Sequence, residues 1–362
     1  MTVADVLNDA SAQLHVDLET IIDNYNTLNA QSNAACAAVV KADAYGLGME
    51  KIAPALFHHT ECNTFFVANL VEAVKLRSIL KGAKIYVFNG LFEDHVDIYL
   101  KQNITPILND PNQIQLWNNK NQPCGIHFDA GINRLGFSDK QTEEFFNSKH
   151  NLNIDLVLSH FIQSEIPNHP SNEIQLDQFM RVRYQLPNAK ASLCNSAGIY
   201  LGEDYHFDLL RPGIMLYGGN PGLPKRPVGI TQAFEIKAKI LQIRELEVGM
   251  SVGYNSLWTA PEKSRIAILN VGYADGTLKT SDRNSFVYID GHIAKVVGKT
   301  SMDMIAIDIT DAKFDKVTVN NFVEILGSNI TLEMVAENST LGHYELMTGI
   351  GRRYNKIYNL RA

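Results

Sequence analysis

Between Ala35 and Leu216 the chain alternates short, continuous apolar runs with stretches of helical period. The runs are ACAAVV, TFFVA, KIYVF, ITPIL, CGIHF, IDLVLS, KASLC and FDLLRPGIML. Runs of this length without alternation suit strands covered on both faces. The stretches between them space apolar residues as a helix does, for example at Met49, Ile52, Ala53, Leu56 and Phe57. Eight such alternations predict an α/β fold with an N-terminal (β/α)8 TIM-like barrel over residues 12–230. Beyond Thr231 the rhythm changes to FEIKAKILQI, SRIAILNV, SFVYID, IAKVVG, MIAIDI and FVEIL with little helix between them, which predicts a C-terminal β-rich domain over residues 231–362. Asp290-Gly291 separates two of these runs as a type I′ hairpin turn requires. The boundary falls at Asn220–Pro227, a segment rich in residues that end regular structure.

Composition narrows the function classes. The chain has 362 residues, 32 Lys plus Arg against 39 Asp plus Glu, and a formal charge of -7. A mildly acidic chain with no basic cluster interleaved with aromatics argues against a nucleic-acid partner. Cys36, Cys62, Cys124 and Cys194 are scattered without a Cys-x-x-Cys spacing, which fits reduced thiols better than a disulfide framework or a zinc site. His58-His59 and the His160 to His169 stretch lack a third ligand at metal spacing, so no metal is expected. No apolar run approaches the roughly 18 residues a membrane span needs, and the N-terminus lacks a basic region before an apolar one. A cytoplasmic protein without membrane contact is the expectation.

In such a barrel the chemistry sits at the carboxyl ends of the strands. Lys41, Asn69, Asn89, Asn109, Asp129, Arg134, His160, Asn195 and Ser196 follow successive runs, and Arg211 lies inside the last. A lysine directly after AAVV is partly desolvated, which lowers its pKa and makes it a nucleophile toward carbonyl groups. Pyridoxal phosphate is the aldehyde partner this suggests. Asn195-Ser196 before Ala-Gly-Ile-Tyr resembles a helix N-cap whose free amides bind a phosphate, and RPGIMLYGG offers further amides. Taken singly, each of these residues is more often a structural or solvated group. Gly46-Leu-Gly48 lacks the third glycine of a dinucleotide loop.

VVKADAYGLG, DAGINRLGF, SHF, NSAG, RPGIMLYG, NVGYADG, SMDM and YELMTGIGRRY occur in the order and approximate spacing of the alanine racemases, and the chain resembles that family over nearly its whole length. The resemblance implies a homodimer with shared active sites, pyridoxal phosphate as cofactor, and interconversion of L-alanine and D-alanine for peptidoglycan precursors. It implies that residues 1–18 add a strand to the β-rich domain. Lys41 is then the cofactor-bearing lysine and the base on the D side, and Tyr273 of the partner is the base on the L side. His160 touches that tyrosine and Arg211, which faces the pyridine nitrogen. Tyr45, Asn195, Ser196, Gly213 and Ile214 surround the phosphate, Arg134 meets the ring phenolate and the substrate carboxylate, and Met302 and Asp303 line the substrate side.

Two positions depart from the family pattern. Many members carry a carbamylated lysine where this chain has His127, which cannot be carbamylated, so Arg134 must be held by something else, with Asp129, an anion or water as candidates. Many also have a phosphate-binding tyrosine where this chain has Arg352, leaving Arg352 or Tyr354 for that role. Competing functions are a racemase of serine or a larger amino acid, a non-catalytic cofactor carrier, and a related decarboxylase. The carrier needs no second base, and the decarboxylases use a cysteine where Tyr273 stands.

Overall fold

The computed structural model describes residues 11–276 and 285–360. The chain divides into two compact units, one made of Ile21–Thr231 and the other of the segments on either side. Strand β1 (Ala12–Asp17) belongs to the second unit, and the division falls in the first turn of helix α1 (Leu18–Asn29).

The first unit continues with β2 (Ala35–Cys36), β3 (Ala38–Val39), α2 (Met49–His59), β4 (Thr64–Val67), α3 (Leu70–Ile79), β5 (Lys84–Val87), α4 (Val96–Gln102) and β6 (Thr105–Leu108). It ends with α5 (Pro111–Trp117), β7 (Pro123–His127), α6 (Asp139–Asn147), β8 (Asn153–Leu158), α7 (Pro170–Gln185), β9 (Lys190–Ser192) and β10 (Leu209–Leu210). Strands β3 to β9 form one parallel sheet in sequential order, and β10 pairs in parallel with β2. Backbone bonds close the ring. Asp208 N–H donates to Ala191 O at 3.0 Å and Arg211 N–H to Cys194 O at 3.0 Å, while Val39 N–H donates to Pro212 O at 2.9 Å. Each of the eight apolar runs therefore supplies one stave, the first of them split into β2 and β3. Phe65, Phe66, Ile85, Ile107, Ile126 and Leu156 are fully buried in the staves, at about 1.5–3 kcal/mol per side chain removed from water. The last run behaves differently from its apolar pattern. Pro212 has no N–H for a ladder, and Ile214–Tyr217 becomes a 3-10 turn.

Helix starts place the loops at the carboxyl ends of the strands. Asn69 and Glu72 form a reciprocal capping box on α3, and Ser138 and Gln141 do the same on α6. Asp110 caps α5, whose first residue is Pro111.

The second unit holds β11 (Phe234–Leu246), β12 (Ser251–Val252), β13 (Trp258–Thr259), β14 (Ser264–Leu269), β15 (Phe286–Ile289), β16 (His292–Val297), β17 (Ile305–Asp308), β18 (Phe322–Leu326), α8 (Leu332–Glu337), α9 (His343–Thr348) and β19 (Asn355–Asn359). The main sheet runs β14-β17-β16-β15-β18-β11-β1-β19, and β11 also pairs with β14, so six of the strands close on themselves. β1 lies antiparallel to β11 and parallel to β19. Asp290 (φ 48°) and Gly291 (φ 83°) make the left-handed pair of a type I′ turn between β15 and β16. No helix among the described residues is long and apolar enough to cross a membrane.

Candidate active site

At the carboxyl ends of the barrel strands, Lys41 Nζ lies 5.8 Å from the centre of the Phe88 ring and Arg211 Cζ lies 6.0 Å from the same centre. Burial lowers the Lys41 pKa below its usual value, and the charges of Arg134 and Arg211 act in the same direction while Glu72 opposes them. Arg211 is buried, with Nε donating to Ser192 Oγ at 2.8 Å and Nη2 to Ser159 O at 2.5 Å and Leu193 O at 3.2 Å. Burial pushes its pKa down to about 10, which leaves it a cation at neutral pH. Its Nη1 makes no hydrogen bond among the described residues. His160 is held well below the usual histidine pKa, first by burial and then by Arg211, Arg134 and Lys41, so its imidazole is neutral.

Arg134 is exposed, and its guanidinium makes no hydrogen bond among the described residues. Asp129, a candidate partner from the sequence, instead accepts from Gly131 N–H at 2.8 Å. His127 Nδ1 lies 3.0 Å from Asn109 Oδ1. Asn109 Nδ2 already donates to Phe88 O and Ile107 O, so the amide oxygen accepts and His127 Nδ1 carries the proton. Nε2 of His127 is then a buried lone pair without a partner. Burial, Arg211 and Arg134 push this histidine down to about 3.

A second cluster lies beside the first. Ser196 Oγ accepts from Gly213 N–H at 2.9 Å and from Met215 N–H at 3.5 Å. The Tyr45 hydroxyl packs so closely on Gly213 that a Cβ there would overlap it. Ile214 opens the 3-10 turn, so its N–H has no acceptor within that turn. Asn195 Oδ1 accepts from Gly198 N–H at 2.8 Å and from the Ser164 hydroxyl at 2.9 Å. It caps only the 3-10 turn Gly198–Tyr200 rather than the helix its sequence suggests.

The β-rich unit gathers its own group. Tyr273 opens the 3-10 turn Tyr273–Asp275 and is 43% exposed, and Met302 is 53% exposed. Tyr273 N–H donates to Ser301 O at 3.1 Å and Ala274 N–H to Met302 O at 3.0 Å, which straps the two loops together. The approach is so tight at Gly272 that a Cβ would collide with Met302 O. The Asp303 carboxylate accepts from Arg353 Nη1 at 2.6 Å. Arg352 is exposed with no hydrogen bond among the described residues, whereas Tyr354 is buried.

Two functional side chains escape a reading of the sequence. Glu72 receives Ala42 N–H at 2.6 Å and Ala68 N–H at 2.8 Å, tying the residue after Lys41 to the start of α3. The only sequence signal for it is the Asn-x-x-Glu spacing of a capping box. Arg353 grips both Asp275 and Asp303, and nothing local in GIGRRY distinguishes it from Arg352.

Two family models match, "Alanine racemase, N-terminal domain" over residues 16–221 and "Alanine racemase, C-terminal domain" over residues 233–358. The chain belongs to the alanine racemase family. It is an enzyme of that family, and the reaction that goes with membership is the racemisation of alanine. The alanine racemase of Rickettsia canadensis is 40% identical over 357 residues, covering 95% of this chain and 98% of the relative. Among solved structures, the alanine racemase of Bartonella henselae, described with covalently bound pyridoxal phosphate, superposes with a TM-score of 0.90 at 37% identity, covering 97% of this chain and 100% of that one. The biosynthetic alanine racemase of Pseudomonas aeruginosa gives 0.88 at 29% identity, covering 97% and 99%.

Proposed function

We propose that this alanine racemase works by a two-base mechanism with pyridoxal phosphate held on Lys41, as a homodimer in the cytoplasm, making D-alanine for peptidoglycan precursors. The observation that carries the reading is the cationic end of the barrel: Lys41, Arg134 and Arg211 converge there with Glu72 as the carboxylate acting on the lysine. Such a donor set suits an anionic aromatic aldehyde. Arg211 Nη1, without a partner among the described residues, matches a ring nitrogen, and Ser196, Tyr45 and the amides of Gly213 and Ile214 match a phosphate with Asn195 shaping the turn beside it. All four cysteines are free and buried, which accords with a reducing compartment.

When bound, the cofactor takes up the electron pair left at the α-carbon as a proton departs. Lys41, its ammonium destabilised by burial and by two guanidinium groups, exchanges the proton on the D side. Tyr273, exposed on the β-rich unit, serves the L side of a partner subunit's site. The neutral His160 has one N–H and one lone pair; the N–H stabilises the tyrosine oxyanion and the lone pair faces Arg211. Arg211 stays protonated and donates to the ring nitrogen, which keeps that nitrogen unprotonated and limits side reactions at the ring. Arg134 has its guanidinium available for the ring phenolate and the substrate carboxylate. The Met302 N–H, with no acceptor among the described residues, binds that carboxylate. Asp303 forms the wall beside it rather than a direct contact, because Arg353 occupies its carboxylate. Arg352, rather than the buried Tyr354, is available for the phosphate.

The test is the circular dichroism of L-alanine incubated with the cofactor-loaded protein. Decay to zero with total alanine unchanged is expected. A stable signal from folded, loaded protein overturns the alanine assignment, and turnover of L-serine in its place would move the protein to the related racemases.

A further inference from the structure

We infer that Arg353 is a positioning residue for the L-side half of the reaction, a clamp that holds the Tyr273 turn and the Met302 loop in one register. The inference rests on the reading of Tyr273 as the L-side base. Its basis is a set of bonds within the β-rich unit. Arg353 Nε donates to Asp275 Oδ1 at 2.9 Å and Nη2 to Asp275 Oδ2 at 2.8 Å, a bidentate fork, while Nη1 reaches Asp303 Oδ1 at 2.6 Å. One guanidinium thus joins the residue two places after Tyr273 to the residue just after Met302.

The fork ends on a buried group. Asp275 is buried, its carboxylate also accepts Gly272 N–H at 2.8 Å, and its carbonyl accepts Gly351 N–H at 2.8 Å. Both sides of Tyr273 are therefore fixed by one carboxylate, and that carboxylate is oriented by Arg353. A lysine carries the charge but presents no fork, so it can satisfy one of the two aspartates at a time. The exposed arm to Asp303 sets where the Met302 N–H points, because the two residues are adjacent in the chain.

Loss of the clamp lets the phenol drift while leaving Lys41 untouched, so the two directions of proton transfer respond oppositely. In Arg353→Gln, kcat/KM falls, by roughly 100-fold if the phenol moves by about 1 Å. The primary isotope effect rises with L-[2-²H]alanine, whose deuteron Tyr273 removes, and falls with D-[2-²H]alanine, whose deuteron Lys41 removes. Arg353→Lys recovers part of both changes. A merely structural role lowers the active fraction and leaves both isotope effects at their parent values. Asp303→Asn removes only the exposed arm and gives the same signature more weakly, which keeps the test available if Arg353→Gln folds poorly. Hydrogen exchange in the cofactor-free protein supplies a second readout: the amides of Gly272, Tyr273 and Ala274 exchange faster in Arg353→Gln and Asp303→Asn. Tyr273→Phe is the reference. If it shifts the L-side isotope effect and the clamp variants do not, the clamp is overturned and the base assignment stands. If Tyr273→Phe leaves that effect unchanged, the base assignment falls and the clamp with it.

Discussion

His127 shows what one substitution changes within a shared site. Family relatives with a carbamylated lysine hold negative charge there. This chain instead holds a neutral ring whose Nδ1–H is given to Asn109 and whose Nε2 lone pair is buried. The consequence is thermodynamic as well as chemical. Below pH 6.5 the unfolded chain protonates this histidine, while the folded chain resists until about pH 3. Stability is therefore complete above 6.5 and is lost progressively as the pH falls toward 3, at about 1.4 kcal/mol per pH unit for each such group. His160, depressed for the same reasons, adds to the slope. Urea unfolding of the cofactor-free protein between pH 7 and pH 5 should show the decline, and His127→Gln, which keeps an N–H for Asn109, should remove close to one proton's share of it. An unchanged slope in that variant would mean that the ring is protonated in the folded protein. His127 was legible in the sequence as a departure from a pattern; its protonation was not, because burial and two arginines from other strands set it.

At the scale of elements, the feature that no local propensity foretells is the turn after Lys41. Ala42 (φ 54°, ψ 46°), Asp43 (φ 55°, ψ 47°) and Ala44 (φ 52°, ψ 52°) are all left-handed, and Tyr45 (φ 56°) continues the run. Left-handed backbone costs L-residues roughly 1–2 kcal/mol each, and none of these residue types favours it strongly enough to repay that. The restraint comes from outside: Glu72 accepts Ala42 N–H, Asp43 Oδ1 accepts Met49 N–H at 2.9 Å, and Gly48 N–H closes onto Asp43 O at 2.8 Å. Ala42 is exposed, so Ala42→Gly should raise stability by up to about 1 kcal/mol, the opposite of the loss the same change causes in a right-handed helix. Glu72→Ala should lower it by about 1–3 kcal/mol, since two N–H groups lose their acceptor together. Thermal midpoints of the two variants decide the matter, and a destabilised Ala42→Gly would show that the turn is not strained. The eight apolar runs were legible because a stave buried on both faces announces itself in composition. The turn was not, because its partner residues are 30 positions away.

For the whole molecule, the expected assembly places Lys41 and Tyr273 of one site on different subunits. Mixing Lys41→Ala with Tyr273→Ala and allowing exchange should then restore about one quarter of the parent activity, from one intact site in the half of the dimers that are mixed. No recovery despite proven exchange would place both bases on one chain. The two-unit plan was legible in the change of rhythm near Thr231. The home of the first strand was not: AQLHVD alternates like any half-buried strand, and only its register against β11 and β19 assigns it.

That register sets a timetable for synthesis. Gln13 pairs with Asn355, so the first strand to leave the ribosome waits for the last. The barrel, complete at Thr231, is free to fold while its forerunner is still unmatched. At about 5–20 residues per second the interval before Asn355 emerges is roughly 6–25 s, and throughout it an apolar edge beside a finished domain stands open to chaperones, to proteases and to neighbouring nascent chains.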